Sequence, residues 1–377
     1  MIEKRVEARS PALDVVRIFA LFCVVSIHFF LHSGYYSITI VGPRMYVATL
    51  MRTFLGICVP LFMMLTGYLM KTRKPSRDYY RKLTGLLAEY LLASICCVVY
   101  QAFVDGTTFD ISMVINTICG LFAFDAAHYG WYVEMYIGLF LLIPYLNLLY
   151  GTLSDKKSKQ GLILTLLILT AVPSIANYLR MDWLFPNNEV ISYTHFTPVP
   201  RWWTGIYPIT YYYIGAYLSE YPLNLSKSMC MLLSGVVLLI SSSLAFLQSY
   251  RSKNILNFLD GYESLFTVLQ TTLVFSFITK ISYKQLSARM SKCLSYISKL
   301  CFSAYLVSFI FDDYFYNAFG WFERGLVYRL ELYFVMVPLV FVCSLALSAV
   351  INTIIRALSC CFAKLRTSGH RIQNGSR

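Results

Sequence analysis

The chain has 377 residues, of which 58% are hydrophobic and only 14% are charged, and its mean hydropathy is +0.59. A soluble domain carries about a quarter charged residues, so this composition excludes a soluble protein and predicts an integral membrane protein. The net charge of +13 lies mostly between apolar segments, which is typical of membrane topology and not of a nucleic-acid-binding module. The first apolar segment is too long for a cleaved signal peptide and is interpreted as a retained first span.

Runs of about 20 apolar residues predict an all-α polytopic membrane protein with about ten transmembrane helices. A single integral-membrane domain is expected over 1–377, with spans between about 12 and 355 and a basic tail at 356–377. A shorter amphipathic stretch is expected near 110–124. The predicted spans lie near 12–31, 46–70, 83–104, 130–150, 161–179, 202–219, 228–247, 263–281, 296–316 and 328–355.

The distribution of basic residues predicts the orientation of these spans. We number the intervals between the spans in order, starting with the N-terminal segment. The odd-numbered intervals hold 23 of the 32 Lys and Arg residues, and the even-numbered intervals hold eight. The positive-inside rule then places both termini in the cytoplasm and requires an even number of spans. The opposite loops are acidic and aromatic, and Asp312 and Asp313 are assigned to them.

The first span carries the most unusual polar residues. Ser10 and Pro11 predict its start, and Asp14, Arg17 and His28 follow within the apolar run. Arg17 and His28 are eleven residues apart, so in a helix they share nearly one face and lie about 16 Å apart along the axis. Burying an arginine and a histidine inside a membrane costs free energy, so their presence indicates a functional site that these side chains line. The alternative is that Arg17 extends to the interface and His28 packs in the core.

Three further regions carry polar or helix-breaking residues that have both a functional and a structural interpretation. Pro60 predicts a kink in the second span, and Gly67 predicts close helix packing. The loop 71–82 is strongly basic, which suits either anionic lipid headgroups or the phosphates of a nucleotide-bearing molecule. The stretch 128–136 adds a histidine and an acid to an interfacial aromatic belt, where Glu134 either pairs with a neighbouring group or marks a helix end.

Five motifs follow one another along the chain. They are Leu13–Ala20 with Arg17 and His28, Val59–Leu69, Trp131–Tyr132 with Leu142–Tyr145, Tyr211–Leu218, and Ile297–Ser308. Taken together, they resemble the acyltransferase family 3 membrane proteins, which O-acylate sugars and other hydroxyl acceptors. Two departures from the family pattern stand out. Ser308 replaces a histidine that often follows the late Tyr-Leu motif, and Arg81 is followed by Lys82 where the family often has two arginines three apart.

The resemblance implies transfer of an acyl group, usually acetyl from acetyl-CoA, to a hydroxyl. It implies that His28 acts as the base, either in direct transfer or through an acyl-histidine, with Arg17 on the CoA diphosphate or the thioester carbonyl. Residues expected to anchor the nucleotide are Arg77, Arg81 and Lys82. Residues expected to bind or support the substrates are Asp14, His128, Trp131 and Glu134.

The same resemblance implies the partners and the location. They are membrane lipid, acyl-CoA and a carbohydrate acceptor in a bacterial cytoplasmic membrane, with no nucleic acid and no permanently bound cofactor. The 11 cysteines lack metal-ligand spacing, so no metal site is expected. The alternative function is a transporter or flippase for a lipid-linked sugar, although the chain lacks the paired half-chain repeats common in transporters.

Overall fold

The computed structural model describes residues 10–107, 110–178, 200–251, 261–318 and 326–374. Within these ranges the chain is helical and contains no strand. Short 3₁₀ helices occupy Tyr35–Ser37, Arg201–Ile206 and Leu326–Leu332. The α-helices are α1 Pro11–His32, α2 Gly42–Leu55, α3 Cys58–Met70, α4 Arg77–Tyr80, α5 Lys82–Asp105, α6 Ile111–Phe122, α7 Trp131–Thr152, α8 Lys156–Tyr178, α9 Tyr207–Glu220, α10 Lys227–Gln248, α11 Leu265–Lys280, α12 Ala288–Ala318 and α13 Tyr333–Asn374.

The described part of the chain has eight helical segments that are long and apolar enough to cross a membrane. This confirms the prediction of an all-α polytopic membrane protein. Two other predicted spans correspond to the shorter helices α9 and α11, which have 14 and 16 residues. The count of ten, the cytoplasmic termini and the single domain over 1–377 stay predictions.

The predicted second span is interrupted. Helix α2 ends at Leu55, and α3 begins at Cys58. Pro60 has no N–H with which to bond the carbonyl of Gly56, so the helix ladder loses a bond at this point. The predicted kink at Pro60 is therefore realised as a break at Gly56 and Ile57.

Three other predicted boundaries differ from the structure. The span predicted from 202 begins as an α-helix only at Tyr207, because Pro208 fits the first turn of a helix and would break an earlier start. Asp312 and Asp313 are assigned to a loop although the predicted span 296–316 contains both, and the structure places them within α12, which continues to Ala318. The expected tail from 356 is also helical, since α13 continues to Asn374.

The chain divides into two compact units. Unit 1 comprises Met1–Pro75, Leu139–Ser298 and Tyr316–Val337, and unit 2 comprises Ser76–Gly138, Lys299–Phe315 and Pro338–Arg377. In unit 1 the most extensive helix pairing joins α3 and α9. In unit 2 polar side chains connect α5, α12 and α13. There Ser303 donates to the Glu89 carboxylate at 2.6 Å, and the Asn352 amide donates to the Ser303 hydroxyl at 3.1 Å.

The pairing of α3 with α9 depends on two glycines. A Cβ atom at Gly67 would lie 1.8 Å from the carbonyl oxygen of Tyr212, and one at Gly215 would lie 1.9 Å from that of Met64. The two backbones therefore touch directly, as small residues permit in membrane helix pairs. The predicted packing role of Gly67 is confirmed.

Candidate functional site

Helix α1 holds the two polar residues that the sequence predicts to act together. It is unbroken from Pro11 to His32, so Arg17 and His28 do share one face, about 16 Å apart along the axis. His28 is buried, and so is Asp14. Arg17 is half-buried, and its Nη1 donates to the Oγ of the buried Ser298 at 2.8 Å. A guanidinium in this position is a fixed cation inside the unit.

Aromatic side chains surround the C-terminal end of α1. The rings of Phe29 and Phe30 contact Tyr333, whose hydroxyl donates to the Oγ of Ser26 at 2.8 Å. His32 stacks on Tyr316, with ring centroids 5.1 Å apart. These contacts fix the last two turns of α1 in an apolar setting. Nothing in the sequence pattern singles out the two tyrosines, because tyrosines occur throughout the apolar segments.

The predicted nucleotide anchors lie in unit 2, where α4 meets the start of α5. Arg77, Arg81 and Lys82 are all exposed, and Arg81 lies 3.4 Å from the exposed Asp78. The N-terminus of α5 adds a partial positive charge at the same place. This basic cluster, defined as Arg77, Arg81 and Lys82, can hold an anion without desolvating a buried charge.

Lys71 belongs to the same basic loop but has another role. It pairs with Glu220 at 3.3 Å, and Lys159 pairs with the same carboxylate at 2.6 Å. Partial burial acts to raise the pKa of Glu220, but the hydrogen bond from Lys159 and the charges of Lys71 and Lys159 hold it below its ordinary value. Lys71 therefore stabilises the end of α9 in unit 1.

The predicted residues near the start of α7 are exposed. His128 has a φ of 56° and stacks on Phe309, with ring centroids 3.9 Å apart. Trp131 contacts the ring of Tyr132 edge to face. Glu134 lies in the first turn of α7, where a carboxylate is favoured by the helix dipole. The position of Glu134 agrees with the interpretation that it marks a helix end.

A sequence model of a protein family, described as an acyltransferase domain, matches residues 10–353 of this chain. The match runs from the residue before α1 to the middle of α13. This range contains the face of α1 and the basic cluster. The chain belongs to acyltransferase family 3. Because the described part of the chain also has eight helical segments that could cross a membrane, it is a multi-pass membrane acyltransferase. Searches of curated proteins and of solved structures gave no match.

Ser308 marks where this acyltransferase departs from the family pattern. The residue lies in α12 and is fully buried. Its hydroxyl donates to the carbonyl of Tyr305 in the preceding turn, at 2.8 Å. A hydroxyl bonded to its own helix is not a base, so Ser308 does not substitute for a histidine in proton transfer.

Unit 2 of the acyltransferase contains a cluster of hydrogen-bonded polar residues that the sequence does not predict. The Tyr129 hydroxyl donates to the fully buried Asp312 at 3.1 Å, and the Tyr305 hydroxyl donates to the Tyr129 carbonyl. Beside it, the Tyr100 hydroxyl donates to Asp313 at 2.8 Å. Assigning the two acids to a loop conceals this cluster, although the predicted span 296–316 contains both and would have shown them among apolar neighbours.

A cavity of about 670 Å³ lies in unit 2 beside α5 and α6. His128 is the one predicted site residue that lines it. Among the described residues there is no group of three or more His, Cys, Asp and Glu that could hold a metal ion.

Proposed function

We propose that the acyltransferase moves an acetyl group from acetyl-CoA to a hydroxyl of a surface or lipid-linked polysaccharide in a bacterial cytoplasmic membrane. The observation that carries the proposal is the continuous face of α1, which presents a buried imidazole and a fixed cation. Family membership supports acyl transfer. The acetyl group, the CoA donor and the glycan acceptor are our proposal.

In the proposed reaction His28 is the general base. Its imidazole removes the proton of the acceptor hydroxyl, and the oxygen attacks the thioester carbonyl carbon. The new C–O bond forms, the C–S bond breaks, and the proton passes from the imidazolium to the CoA sulfur. Mass spectrometry of the protein incubated with acetyl-CoA alone separates this direct transfer from a route through an acetyl-histidine.

The spacing along α1 decides the part that we assign to Arg17. Groups about 16 Å apart cannot both contact one carbonyl, since a catalytic hydrogen bond spans about 3 Å. Arg17 is therefore assigned to the CoA diphosphate, which a guanidinium binds through paired hydrogen bonds. The pantetheine arm of CoA then extends from Arg17 towards His28.

The basic cluster is expected to contribute to donor binding. Replacing Arg77, Arg81 and Lys82 together by Gln should raise the KM for acetyl-CoA by about tenfold with little change in kcat, because the exposed cations bind phosphate without touching the reacting atoms. The KM of the unmodified protein should also rise with salt, and that of the variant much less. The measurement is steady-state kinetics in reconstituted vesicles.

A matched control for this variant removes cations elsewhere. Lys156 and Lys157 are exposed at the start of α8, so their replacement by Gln removes two cations and leaves all three residues of the cluster in place. An equal rise in KM in both variants would contradict a local role for the basic cluster.

The acceptor is tested in the host. Proton NMR of the surface polysaccharide, in a deletion strain complemented with the unmodified gene or with His28→Ala, measures O-acetyl content. We expect the acetyl signal to be lost on deletion and restored only by the unmodified gene. Unchanged acetylation with altered polysaccharide export would favour a transporter, and no change in either would exclude a surface glycan as acceptor.

A further inference from the structure

The cavity in unit 2 is lined by both polar and apolar groups. It is bounded by the C-terminal half of α5, one face of α6 and the loop that leads to α7. Its volume of about 670 Å³ falls within the range of about 300–1,000 Å³ that small-molecule sites occupy. The size of this cavity is that of a ligand site.

Helix α6 turns its polar face to the cavity. Ser112, Asn116 and Gly120 are spaced four residues apart, so they lie on one face, and all three line the cavity. The other face carries Ile115 and Phe122, which are 54% and 82% exposed. An apolar face that is exposed in this way suits lipid, and the polar face is then left for a hydrophilic ligand.

The lining offers both hydrogen-bond acceptors and donors. Asp105, Asp110 and Asp125 supply carboxylates, and Asn116 supplies an amide that both donates and accepts. Gln101 also lines the cavity, and its Oε1 is buried with no hydrogen-bond partner among the described residues. Hydroxyl groups, which donate and accept, match this mixture.

The charge of the lining disfavours an anionic ligand. Three carboxylates would repel the diphosphate of CoA, so the cavity does not suit the donor. Two of the carboxylates are already engaged, because Asp110 accepts the backbone N–H of Met113 at 2.8 Å and Asp105 accepts the Gln101 amide at 3.2 Å. All three are exposed, so solvent weakens their attraction for a cation as well as their repulsion of an anion. Hydrogen bonding therefore decides more than charge does, and this favours a neutral ligand that carries hydroxyl groups.

The cavity and the basic cluster lie at opposite ends of α5. The helix runs from Lys82 to Asp105 in 24 residues, which is about 36 Å and matches the thickness of a bilayer. One end of α5 therefore carries cations that attract anions, while the other end borders a cavity whose carboxylates and amides can bind hydroxyl groups. This arrangement suits a two-substrate transferase that receives an anionic donor at one surface and an uncharged acceptor at the other.

We propose that the cavity lined by Gln101, Asn116 and Asp125 is the binding site for a neutral sugar unit of the acceptor. The proposal rests on the proposed function for the identity of the acceptor. Val98 and Met113 supply apolar surface for the C–H faces of the ring, and the carboxylates and amides bind its hydroxyls.

The test measures sugar binding to the full chain in lipid nanodiscs, without acetyl-CoA. The probes are the methyl glycosides of glucose, galactose and N-acetylglucosamine, compared with glucuronate and glucosamine by saturation-transfer NMR. We expect at least one neutral glycoside to bind more tightly than glucuronate. Asn116→Ala and Asp125→Asn should each weaken that binding by about two- to tenfold, which is the loss of one hydrogen bond.

Two control variants match the test variants. Cys119→Ala alters an exposed residue of α6 outside the cavity, and Asp78→Asn removes an exposed carboxylate at the far end of α5. Both should bind the glycoside as the unmodified protein does. Equal weakening in test and control variants, binding of glucosamine in preference to every neutral glycoside, or no binding of any neutral glycoside would each overturn the proposal.

The binding test and the transfer assay can fail separately. Sugar binding that depends on Asn116 and Asp125, in a protein that transfers no acetyl group, counts against the proposed function and leaves the site in place. Acetyl transfer whose KM for the acceptor is unchanged in both variants counts against the cavity and leaves the proposed function in place.

Discussion

Replacing His28 by Ala is expected to lower the rate of acetyl transfer by about 10²- to 10⁴-fold, the range that a positioned general base contributes. His28 is buried on a helix whose end is fixed by aromatic contacts, so its imidazole is held in one place. Ala leaves no group there to accept the proton of the acceptor hydroxyl. The measurement is transfer of radiolabelled acetyl from acetyl-CoA by vesicles that contain equal amounts of each protein.

His32→Phe is the matched control for this substitution. His32 lies one turn further along α1, and Phe preserves its stacking on Tyr316 while removing the second imidazole of the helix. We expect this variant to keep its activity. Near-normal transfer by His28→Ala, or equal losses in both variants, would show that His28 is not the base.

Replacing Gly67 by Ala is expected to destabilise unit 1 by at least about 1–3 kcal/mol, the usual cost of overpacking a tight core. The new methyl group would lie 1.8 Å from a backbone oxygen of Tyr212, which no side-chain rotation can relieve. Helices α3 and α9 must move apart, and this disturbs a nearby contact. The Tyr212 hydroxyl donates to Asn147 at 2.6 Å, and the Asn147 amide donates to the carbonyls of Met70 and Arg73 at 2.8 Å.

Gly235→Ala provides the comparison for Gly67. Gly235 lies inside α10, and a Cβ atom added to it would have no neighbouring atom within 4 Å, so the methyl group meets open space there. Ala is the better helix former by roughly 0.5–1 kcal/mol, and this variant should be unchanged or more stable. Thermal unfolding in detergent, followed by size-exclusion chromatography, measures both. A Gly67→Ala protein as stable as Gly235→Ala would contradict the close approach of α3 and α9.

The features that the sequence predicts well are those with a local physical cause. Span-length apolar runs give the long helices, Pro60 gives the break before α3, and the polar and apolar periodicity near 110–124 gives α6. The shared face of Arg17 and His28 follows from eleven residues of unbroken helix. Each of these depends on neighbours along the chain.

The features that the sequence does not predict depend on residues far apart in the chain. The contact between Arg17 and Ser298 joins positions separated by 281 residues. Asp312 is counted among the loop acids, and the hydroxyl of Tyr129, distant in sequence, supplies the hydrogen bond that this acid makes inside α12. The cavity combines α5, α6 and a loop, and periodicity alone does not show which faces meet.

Helix α13 has a mechanical consequence for the protein. Its 42 residues are about 63 Å long at about 1.5 Å per residue, roughly twice the thickness of the hydrocarbon layer. No charged residue occurs from Tyr333 to Ile355, which is enough helix to cross that layer once. From Arg356 onward the same helix has to leave the lipid, and it continues for about 28 Å beyond that point. Anionic headgroups would attract the exposed Arg356 at this boundary, and this attraction resists sliding of α13 along the membrane normal.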